Sequence, residues 1–116
     1  MVEDEPIIAL SLTDMLNMVG YFVVNFSNAD EAHSYLKTGG DCDLVLSDVR
    51  LPGTMNGIDL AKWVLDRRPG TPIVMMSGYV ANQQLPSIPF LPKPFGMKLM
   101  LDAIASALSS KHHTSR

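Results

Sequence analysis

The chain has 116 residues, a formal net charge of −3 and 47% apolar residues, which is the size and composition of one folded domain and excludes a disordered segment. Nine basic against twelve acidic residues leave no cationic excess for direct nucleic-acid binding. The single cysteine, Cys42, excludes an internal disulfide and a cysteine-based zinc site. Since the apolar stretches are too short to cross a membrane, we expect a cytoplasmic domain with no membrane partner.

The first third of the chain predicts a helix, a strand and a second helix. Apolar residues recur at helical spacing after Pro6, up to a helix end at Gly20. Residues 21–26 are rich in β-forming side chains and predict a strand. The second helix is expected to begin after Asn28 as its N-cap and to end at the pair Gly39-Gly40.

The middle of the chain predicts two buried strands with a helix between them. Residues 44–46 and residues 72–76 are apolar throughout, which indicates burial on both faces, as in a parallel sheet. The helix that separates them is expected to place Ile58, Ala61 and Leu65 on its inner face.

The last part of the chain predicts a short strand and a long helix. Residues 79–85 leave room only for a short fourth helix or for none, because Pro86 and Pro89 follow closely. Residues 89–91 predict a short strand. The final helix is expected to bury a stripe of apolar side chains, namely Met97, Met100 or Leu101, Ile104 and Leu108.

This alternation of strands and helices predicts the α/β class, as a doubly wound, five-stranded parallel sheet with helices on both faces and a short or absent fourth helix. We expect the domain to span residues 1–110 and the polar residues 111–116 to form a disordered tail. Only Met1 and Val2 stand for the first strand, which is short for an interior strand. We therefore expect residues before Met1, or another segment or chain, to complete it, and otherwise a poorly stable or strand-exchanged protein.

Polar side chains collect where the predicted strands end, and the carboxyl ends of parallel strands form one rim. Glu3 and Asp4 end the first strand, Asp48 the third, Ser77 the fourth and Lys93 the fifth. Three carboxylates without nitrogen or sulfur ligands favour Mg²⁺. A cation, a lysine and a hydroxyl around one carboxylate favour phosphoryl chemistry. Asp48 is the candidate nucleophile, since it ends a buried central strand.

Five short motifs at these strand ends resemble the receiver domain of two-component response regulators and hybrid histidine kinases. They are Glu-Asp-Glu-Pro at 3–6, Asp-Val-Arg-Leu-Pro-Gly at 48–53, Met-Asn-Gly at 55–57, Met-Ser-Gly-Tyr at 76–79 and Lys-Pro-Phe at 93–95. The resemblance covers nearly the whole chain in order. It implies a flavodoxin-like fold and phosphorelay signal transduction, with self-phosphorylation and self-dephosphorylation as the only chemistry.

The resemblance also implies how phosphoryl transfer takes place. Asp48 would accept the phosphoryl group from a histidine kinase or a histidine phosphotransfer protein. Mg²⁺, or Mn²⁺, would be held by Asp4, by Asp48 and by the backbone carbonyl of Arg50, with Glu3 acting through water. Phosphorylation would then switch the conformation and the binding of a downstream partner that the sequence does not identify, and homodimerisation stays open.

Four further residues acquire roles from the same resemblance. Ser77 and Lys93 would bind the phosphate, Phe90 would be the switch aromatic residue, and the bond before Pro94 would be cis. Two large side chains flank the expected phosphate, each two residues after a site residue: Arg50 after Asp48, and Tyr79 after Ser77. We expect them to shield the acyl phosphate from water and to prolong its lifetime.

Two other functions fit parts of this pattern. A pseudo-receiver would use the fold only as a protein-interaction module, but such modules lose the acids or the lysine that this chain keeps. A phosphatase of the haloacid dehalogenase type also uses an aspartate nucleophile after a buried strand. That enzyme class needs an acid two residues after the nucleophile, where this chain has Arg50. A Mg²⁺-dependent response to a phosphate mimic would separate the switch from both alternatives.

Overall fold

The computed structural model describes residues 1–78 and 88–114. In chain order the elements are α1 (Pro6–Met18), α2 (Ala29–Lys37), β1 (Val45–Asp48), α3 (Gly57–Arg67), β2 (Ile73–Ser77), β3 (Phe90–Pro92) and α4 (Met97–Thr114). The two apolar runs predicted as buried strands become β1 and β2, every residue of which is buried. The alternation of strands and helices confirms the predicted α/β class.

The three strands form a parallel sheet in the order β1-β2-β3. Two isolated parallel bridges extend it, because Val2 pairs with Phe26 on one side and with Ser47 of β1 on the other. The order across the molecule is therefore residues 21–26, residues 1–2, β1, β2 and β3. This is the strand order of a doubly wound sheet with its switch point beside β1, as the sequence predicts.

The second predicted strand is shorter than expected, whereas the first is as short as the sequence indicates. The Val2 amide donates to the Leu46 carbonyl at 2.8 Å, and the Phe26 amide donates to the Met1 carbonyl at 2.9 Å. Met1 and Val2 lie between residues 21–26 and β1 in the sheet. Their pairing with residues 21–26 extends from Phe26 to Val24 and no further. The predicted strand over residues 21–26 is wrong upstream of Phe26, because β-forming side chains do not make a strand without a paired backbone.

The helix boundaries follow from local backbone chemistry. Pro6 occupies the first turn of α1, where its missing amide costs nothing, and Gly20 follows the helix with a φ of 97°, a left-handed conformation that favours glycine. The Asn28 side chain caps α2 as predicted. Helix α3 begins with a reciprocal capping box between Asn56 and Asp59, which sequence reasoning missed.

The core consists of two apolar clusters, one on each face of the sheet. On one face Leu36 of α2 and Leu60 of α3 lie in the same cluster as Met75 of β2. On the other face Leu16 of α1, together with Met100 and Ile104 of α4, lies in the cluster of Val74. Successive β2 residues therefore serve opposite clusters, as strand geometry requires, and helices cover both faces as predicted.

One expected core residue lies outside the core. Leu65 was expected on the inner face of α3 but is 42% exposed. The buried stripe of α3 runs instead through Leu60, Ala61 and Val64, so Leu65 lies beside it on the helix surface. The expected stripe of α4 is confirmed at Met100 and Ile104, which are both buried.

The last helix continues to Thr114, so residues 111–114 are helical within the segment expected to be a disordered tail. The division into a domain over 1–110 and a tail stays a prediction. The expected short fourth helix over residues 79–85, with Tyr79, lies outside the described residues. Among the helices that the structure describes, none is long and apolar enough to cross a membrane.

Candidate functional site

The parallel strands deliver the predicted polar residues to one rim of the sheet. Glu3 and Asp4 follow the bridged residue Val2, Asp48 is the last residue of β1, and Ser77 is the last residue of β2. Lys93 follows β3, and its amide donates to the Ser77 carbonyl at 2.7 Å. The rim therefore holds the acids, the hydroxyl and the lysine that the strand ends predict.

An ammonium group bridges two buried carboxylates at the centre of the rim. The Nζ atom of Lys93 lies 3.0 Å from Oε1 of Glu3 and 3.0 Å from Oδ2 of Asp48. The Glu3 side chain is fully buried, whereas 22% of the Lys93 side chain is exposed. Charged hydrogen bonds are strongest where water is excluded. Lys93 therefore connects Glu3 and the end of β1 to the end of β3.

The sequence did not indicate the direct contact between Glu3 and Lys93. The two residues lie 90 positions apart, and Glu3 was expected only to act on a metal through water. The Glu3 carboxylate also accepts a hydrogen bond from the Glu5 amide at 3.1 Å. The sequence signal for this pair is only that both residues follow a predicted strand and therefore share one rim of the sheet.

Three carboxylates form a cluster that can hold a metal ion. One oxygen from each of Glu3, Asp4 and Asp48 lies within 4.8 Å of the other two. Asp4 is exposed, while the other two acids are buried. A cluster of oxygen donors that is open to solvent on one side fits Mg²⁺, which keeps several of its waters when it binds proteins. The donor set therefore fits the predicted cation.

The pKa values of the two buried acids at the rim are shifted in opposite directions. Burial raises the pKa of Asp48 to about 7, and the nearby Glu3 charge adds to this effect while Lys93 opposes it. For Glu3, burial is outweighed by the hydrogen bonds from the Glu5 amide and from Lys93, so its pKa is lowered. Glu3 is therefore the ionised partner of Lys93, and Asp48 is the acid that gains or loses a proton near neutral pH.

The pKa of Lys93 is raised as well. Burial alone would lower it, but the hydrogen bonds and charges of Glu3 and Asp48 outweigh that effect. The ammonium is therefore charged throughout the pH range in which Asp48 titrates. A permanent positive charge beside a carboxylate of variable charge suits a group that must accept additional negative charge.

The turn after β1 is held close to α3 by a glycine. The Gly57 amide donates to the Val49 carbonyl at 2.9 Å, and a Cβ atom at Gly57 would overlap the carbonyl oxygen of Asp48. Any larger residue would push α3 away from the backbone of Asp48. Sequence reasoning used Gly57 only as part of a motif and missed this close approach.

The loop between Asp48 and α3 is attached to α2. The Thr54 hydroxyl donates to Oδ1 of Asp30 at 2.7 Å, and this hydrogen bond is the main cause of a lowered pKa at Asp30. Gly53 lies in the same loop with a φ of 99°. These contacts define the path of the chain immediately after Arg50.

The other residues predicted for the site lie around the cluster of Glu3, Asp48 and Lys93 or outside the described residues. Phe90 begins β3 opposite Met75 and packs, half-buried, against the core cluster of α2 and α3. The Lys93–Pro94 peptide bond is cis. Arg50 is exposed after β1, and Tyr79 lies outside the described residues. The structure thus gathers the acids and the lysine and leaves Phe90 in the adjoining core.

The chain matches known proteins over most of its length. The sequence model of the family described as the response regulator receiver domain matches residues 1–105. The chain is 29% identical over 118 residues to the sensor kinase CckA of Brucella abortus, covering 96% of this chain and 12% of that protein. It is 31% identical over 115 residues to the transcriptional regulatory protein FixJ of Bradyrhizobium diazoefficiens, covering 92% of this chain and 54% of FixJ.

Solved structures show the same fold. The crystal structure of a response regulator receiver protein from Sinorhizobium medicae superposes with a TM-score of 0.86 at 28% identity, covering 95% of this chain and 92% of that one. The chain spans only about an eighth of CckA and about half of FixJ.

Proposed function

The chain belongs to the response regulator receiver family, and from this premise we propose that Asp48 accepts a phosphoryl group from a phosphohistidine donor. One observation carries the proposal: Asp48 ends a buried central strand within 3.0 Å of the Lys93 ammonium and beside two further acids. A carboxylate in this setting can act as a nucleophile, while the lysine balances the charge that it receives.

The proposed transfer conserves atoms and charge. An oxygen of the Asp48 carboxylate forms a bond to phosphorus, and the bond between phosphorus and the donor imidazole nitrogen breaks. The electron pair of that bond stays on the imidazole nitrogen, which is protonated from solvent. The product is an acyl phosphate on Asp48, formed on the protein itself rather than on a separate substrate. Its later hydrolysis is likewise self-dephosphorylation, so the chain acts as a phosphoacceptor switch.

A divalent cation completes the proposed site. Glu3, Asp4 and Asp48 would hold Mg²⁺ or Mn²⁺, with the backbone carbonyl of Arg50 as a further oxygen ligand and Glu3 acting through water. When bound, the cation supplies positive charge to the oxygens of the transferred group. Asp4, which faces solvent, gives the cation an open side on which the donor can approach.

Residues of the chain itself would then bind the phosphate and change conformation in response. Phosphorylation replaces a carboxylate charge of one with a charge of about two and adds strong acceptor oxygens. We propose that Lys93 pairs with these oxygens and that the Ser77 hydroxyl donates to one of them. Phe90, in the strand that leads to Lys93, is the proposed switch aromatic residue, because a shift of that strand end moves it relative to the core.

The proposal also covers the phosphodonor, the bounds and location of the domain, and the lifetime of the phosphate. The donor is a histidine kinase or a histidine phosphotransfer protein, the domain spans residues 1–110, and the location is cytoplasmic. Arg50 and Tyr79 flank the phosphate and slow its hydrolysis.

Phosphorylation by a small-molecule donor tests the proposal. The purified chain is incubated with acetyl phosphate, with and without Mg²⁺, and its intact mass and modified peptide are measured. We expect one phosphoryl group on Asp48 only when Mg²⁺ is present. The Asp48→Asn variant should take up none, and the Asp14→Asn variant, altered at an exposed acid of α1, should behave as the parent. A folded chain that stays unmodified with phosphohistidine donors as well would instead be a pseudo-receiver module.

A further inference from the structure

The loop between β1 and α3 is closed at its base by backbone hydrogen bonds. The Val49 amide donates to the Met76 carbonyl at 2.9 Å, and the Gly57 amide donates to the Val49 carbonyl at 2.9 Å. The chain therefore leaves the sheet after Val49 and returns to the same point at Gly57. We call the residues between them, 50–56, the rim loop. Because the base bonds hold only its two ends, the orientation of the rim loop depends on contacts nearer its tip.

Asp30 makes a directional contact with the tip of the rim loop. This residue lies in the first turn of α2, and its Oδ1 atom accepts a hydrogen bond of 2.7 Å from the Thr54 hydroxyl. The same hydrogen bond is the main cause of the lowered pKa of the Asp30 carboxyl, and the backbone amides of Met55 and Thr54 act in the same direction. Donors from two consecutive residues of the rim loop therefore converge on one carboxylate, as in the turns whose successive amides bind anions.

Gly53 allows the rim loop to approach Asp30 this closely. Its φ of 99° lies in the left-handed region, and a Cβ atom there would come to 2.6 Å from Oδ2 of Asp30. A side chain at this position would displace the carboxylate and also strain the backbone. Leu51 and Met55 pack, half-buried, against the core cluster of α2 and α3. These apolar contacts hold the loop against the core, while the hydrogen bond from Thr54 sets its orientation, because hydrogen bonds are directional.

The position of Asp30 has a second, purely local explanation. An acid in the first turn of a helix interacts favourably with the helix dipole. Glu31 is an exposed acid in the same turn of α2, and it serves the dipole in the same way. The hydrogen bond from Thr54 distinguishes Asp30 from its neighbour. Comparison of the two acids therefore separates a role in the loop from a role in the helix.

The rim loop begins with a residue of the proposed cation site. Arg50 follows Asp48 by two positions, and its backbone carbonyl is a proposed oxygen ligand. Because Mg²⁺ requires near-ideal geometry of its ligands, a rotation of the loop about its base would weaken binding by this carbonyl.

We propose that Asp30 is a positioning residue for the cation. By accepting the hydrogen bond from Thr54, it holds the rim loop in the orientation that the Arg50 carbonyl needs in order to bind Mg²⁺. The inference rests on the proposed function, since it concerns the same cation, and it adds a residue of α2 that lies outside the acid cluster. It also implies that the start of α2 and the cation site are coupled, so that a change at either one alters the other.

Loss of this hydrogen bond should weaken Mg²⁺ binding while the chain stays folded. Asp30 and Thr54 are both exposed, so substitution of either leaves no buried polar group unpaired. Residues that orient a metal ligand directly contribute about 10-fold to 100-fold to affinity. Since Asp30 acts on Arg50 through several residues of the rim loop, we expect a smaller effect, a dissociation constant about fivefold higher.

Mg²⁺ binding to variants of the unphosphorylated chain tests the proposal. Calorimetric titration gives the dissociation constant, and amide hydrogen exchange without cations reports the motion of the rim loop. Asp30→Ala and Thr54→Val should each weaken binding by about fivefold and should speed exchange at residues 50–55. Thr54→Ser retains the hydroxyl and should bind as the parent does. The double variant Asp30→Ala/Thr54→Val should bind no more weakly than Asp30→Ala, because the hydrogen bond is already lost.

Two controls isolate the contact from charge and from backbone strain. Glu31→Ala removes an equal charge from the same turn and should leave the Mg²⁺ affinity unchanged. Gly53→Ala should weaken binding about as much as Asp30→Ala. Gly39→Ala is its matched control, because Gly39 has a φ of 96° and a Cβ atom there meets nothing within 4 Å. That control should lower the melting temperature without changing the affinity.

Each outcome decides the question. Equal weakening in Asp30→Ala and Glu31→Ala would attribute the effect to charge and would overturn the proposal. An unchanged affinity in Thr54→Val, or a parent chain that binds no Mg²⁺, would overturn it as well. If Asp30→Ala does not fold, the difference between Thr54→Val and Thr54→Ser decides. Labelling of Asp48 is scored separately. A parent that binds Mg²⁺ more tightly than Thr54→Val, yet is never phosphorylated, would refute the proposed phosphoryl transfer and support the role of Asp30.

Discussion

We call residues 1–3, which lie between residues 21–26 and β1 in the sheet, the first lane. Its two ends differ in how completely their polar groups are paired. At the C-terminal end, Glu3 contacts both Lys93 and the Glu5 amide. At the N-terminal end, the Met1 ammonium lies in an apolar groove with its pKa lowered by burial. Both regions depend on Val2, which is bridged once to each neighbour. The comparison indicates that ion pairing at the rim, rather than the length of the strand, holds the acids in position.

The variant Lys93→Ala is expected to have the largest effect, because it removes the group that ties the charged end together. Glu3 and Asp48 would be left buried beside each other without a counter-charge. We expect a loss of about 3 kcal/mol in the free energy of unfolding at pH 8 and no phosphorylation of Asp48. Urea unfolding and intact-mass labelling measure the two effects.

The matched control is Lys98→Ala. Lys98 pairs with Asp102 at 2.7 Å, but its side chain is 88% exposed, and such pairs contribute about 0.5 kcal/mol or less. Equal losses in the two variants would mean that Lys93 does not organise the rim. The Met1 end of the lane would then carry more of the stability than the comparison implies.

Gly57→Ala is expected to have the next largest effect. The added methyl group would overlap the Asp48 carbonyl oxygen, so α3 and the end of β1 must separate. We expect a loss of about 2 to 3 kcal/mol in stability together with weaker binding of Mg²⁺, measured by calorimetry.

Gly70→Ala is the control for this substitution, since a Cβ atom there meets no neighbour within 4 Å. A Gly57→Ala protein with unchanged stability and unchanged Mg²⁺ affinity would contradict the close approach. The charged end of the lane would then be less tightly defined than its contacts indicate.

The charge on Asp48 gives the rim a pH dependence. Its pKa is raised to about 7 in the folded protein, against about 4 for an unfolded aspartate. The folded state therefore binds a proton more tightly than the unfolded state, and stability falls as pH rises from about 4 to about 7. Asp48→Asn removes this cost, so we expect it to be more stable than the parent by about 2 kcal/mol at pH 8 and nearly equal at pH 4.

Unfolding curves at the two pH values, recorded without divalent cations, measure this difference. A constant difference between Asp48→Asn and the parent at both pH values would contradict a raised pKa. The control is Asp14→Asn, which changes an exposed acid. Asp59→Asn is not suitable as a control because Asp59 caps α3. With Mg²⁺ present the gain should shrink, since a cation stabilises the carboxylate of the parent.

Much of the fold and of the rim follows from local patterns. Fully apolar runs identify β1 and β2, because strands of a parallel sheet are buried on both faces. Their last residues then locate Asp48 and Ser77, since strand ends share one rim. Family membership, inferred from five motifs, is confirmed by the match over residues 1–105.

The rest depends on contacts between distant parts of the chain. The pair of Glu3 with Lys93 joins two ends of the sequence, and no local pattern encodes such a distance. Residues 21–25 have strand-forming side chains but form no strand, because strand formation depends on a partner backbone. The shortness of the first strand does follow from the sequence, since Met1 and Val2 directly precede the acids, and the structure shows this strand as single bridges at Val2.

The smallest expected effect concerns the lifetime of the phosphorylated state. Arg50 is exposed two residues after Asp48, where its side chain is expected to limit the access of water to the acyl phosphate. In Arg50→Asn we expect hydrolysis to be about threefold faster, a barrier change of less than about 1 kcal/mol, with stability unchanged. Tyr79→Ala should act in the same direction.

The half-life of phosphorylated Asp48 is measured after removal of acetyl phosphate. Arg67→Asn is the matched control, because that exposed arginine pairs only weakly with Asp66 on α3, away from the rim. A half-life that does not shorten in Arg50→Asn would refute shielding by this side chain. Water access would then be governed by the buried ion pairs around Lys93, which would extend their role from holding the acids in place to protecting the product.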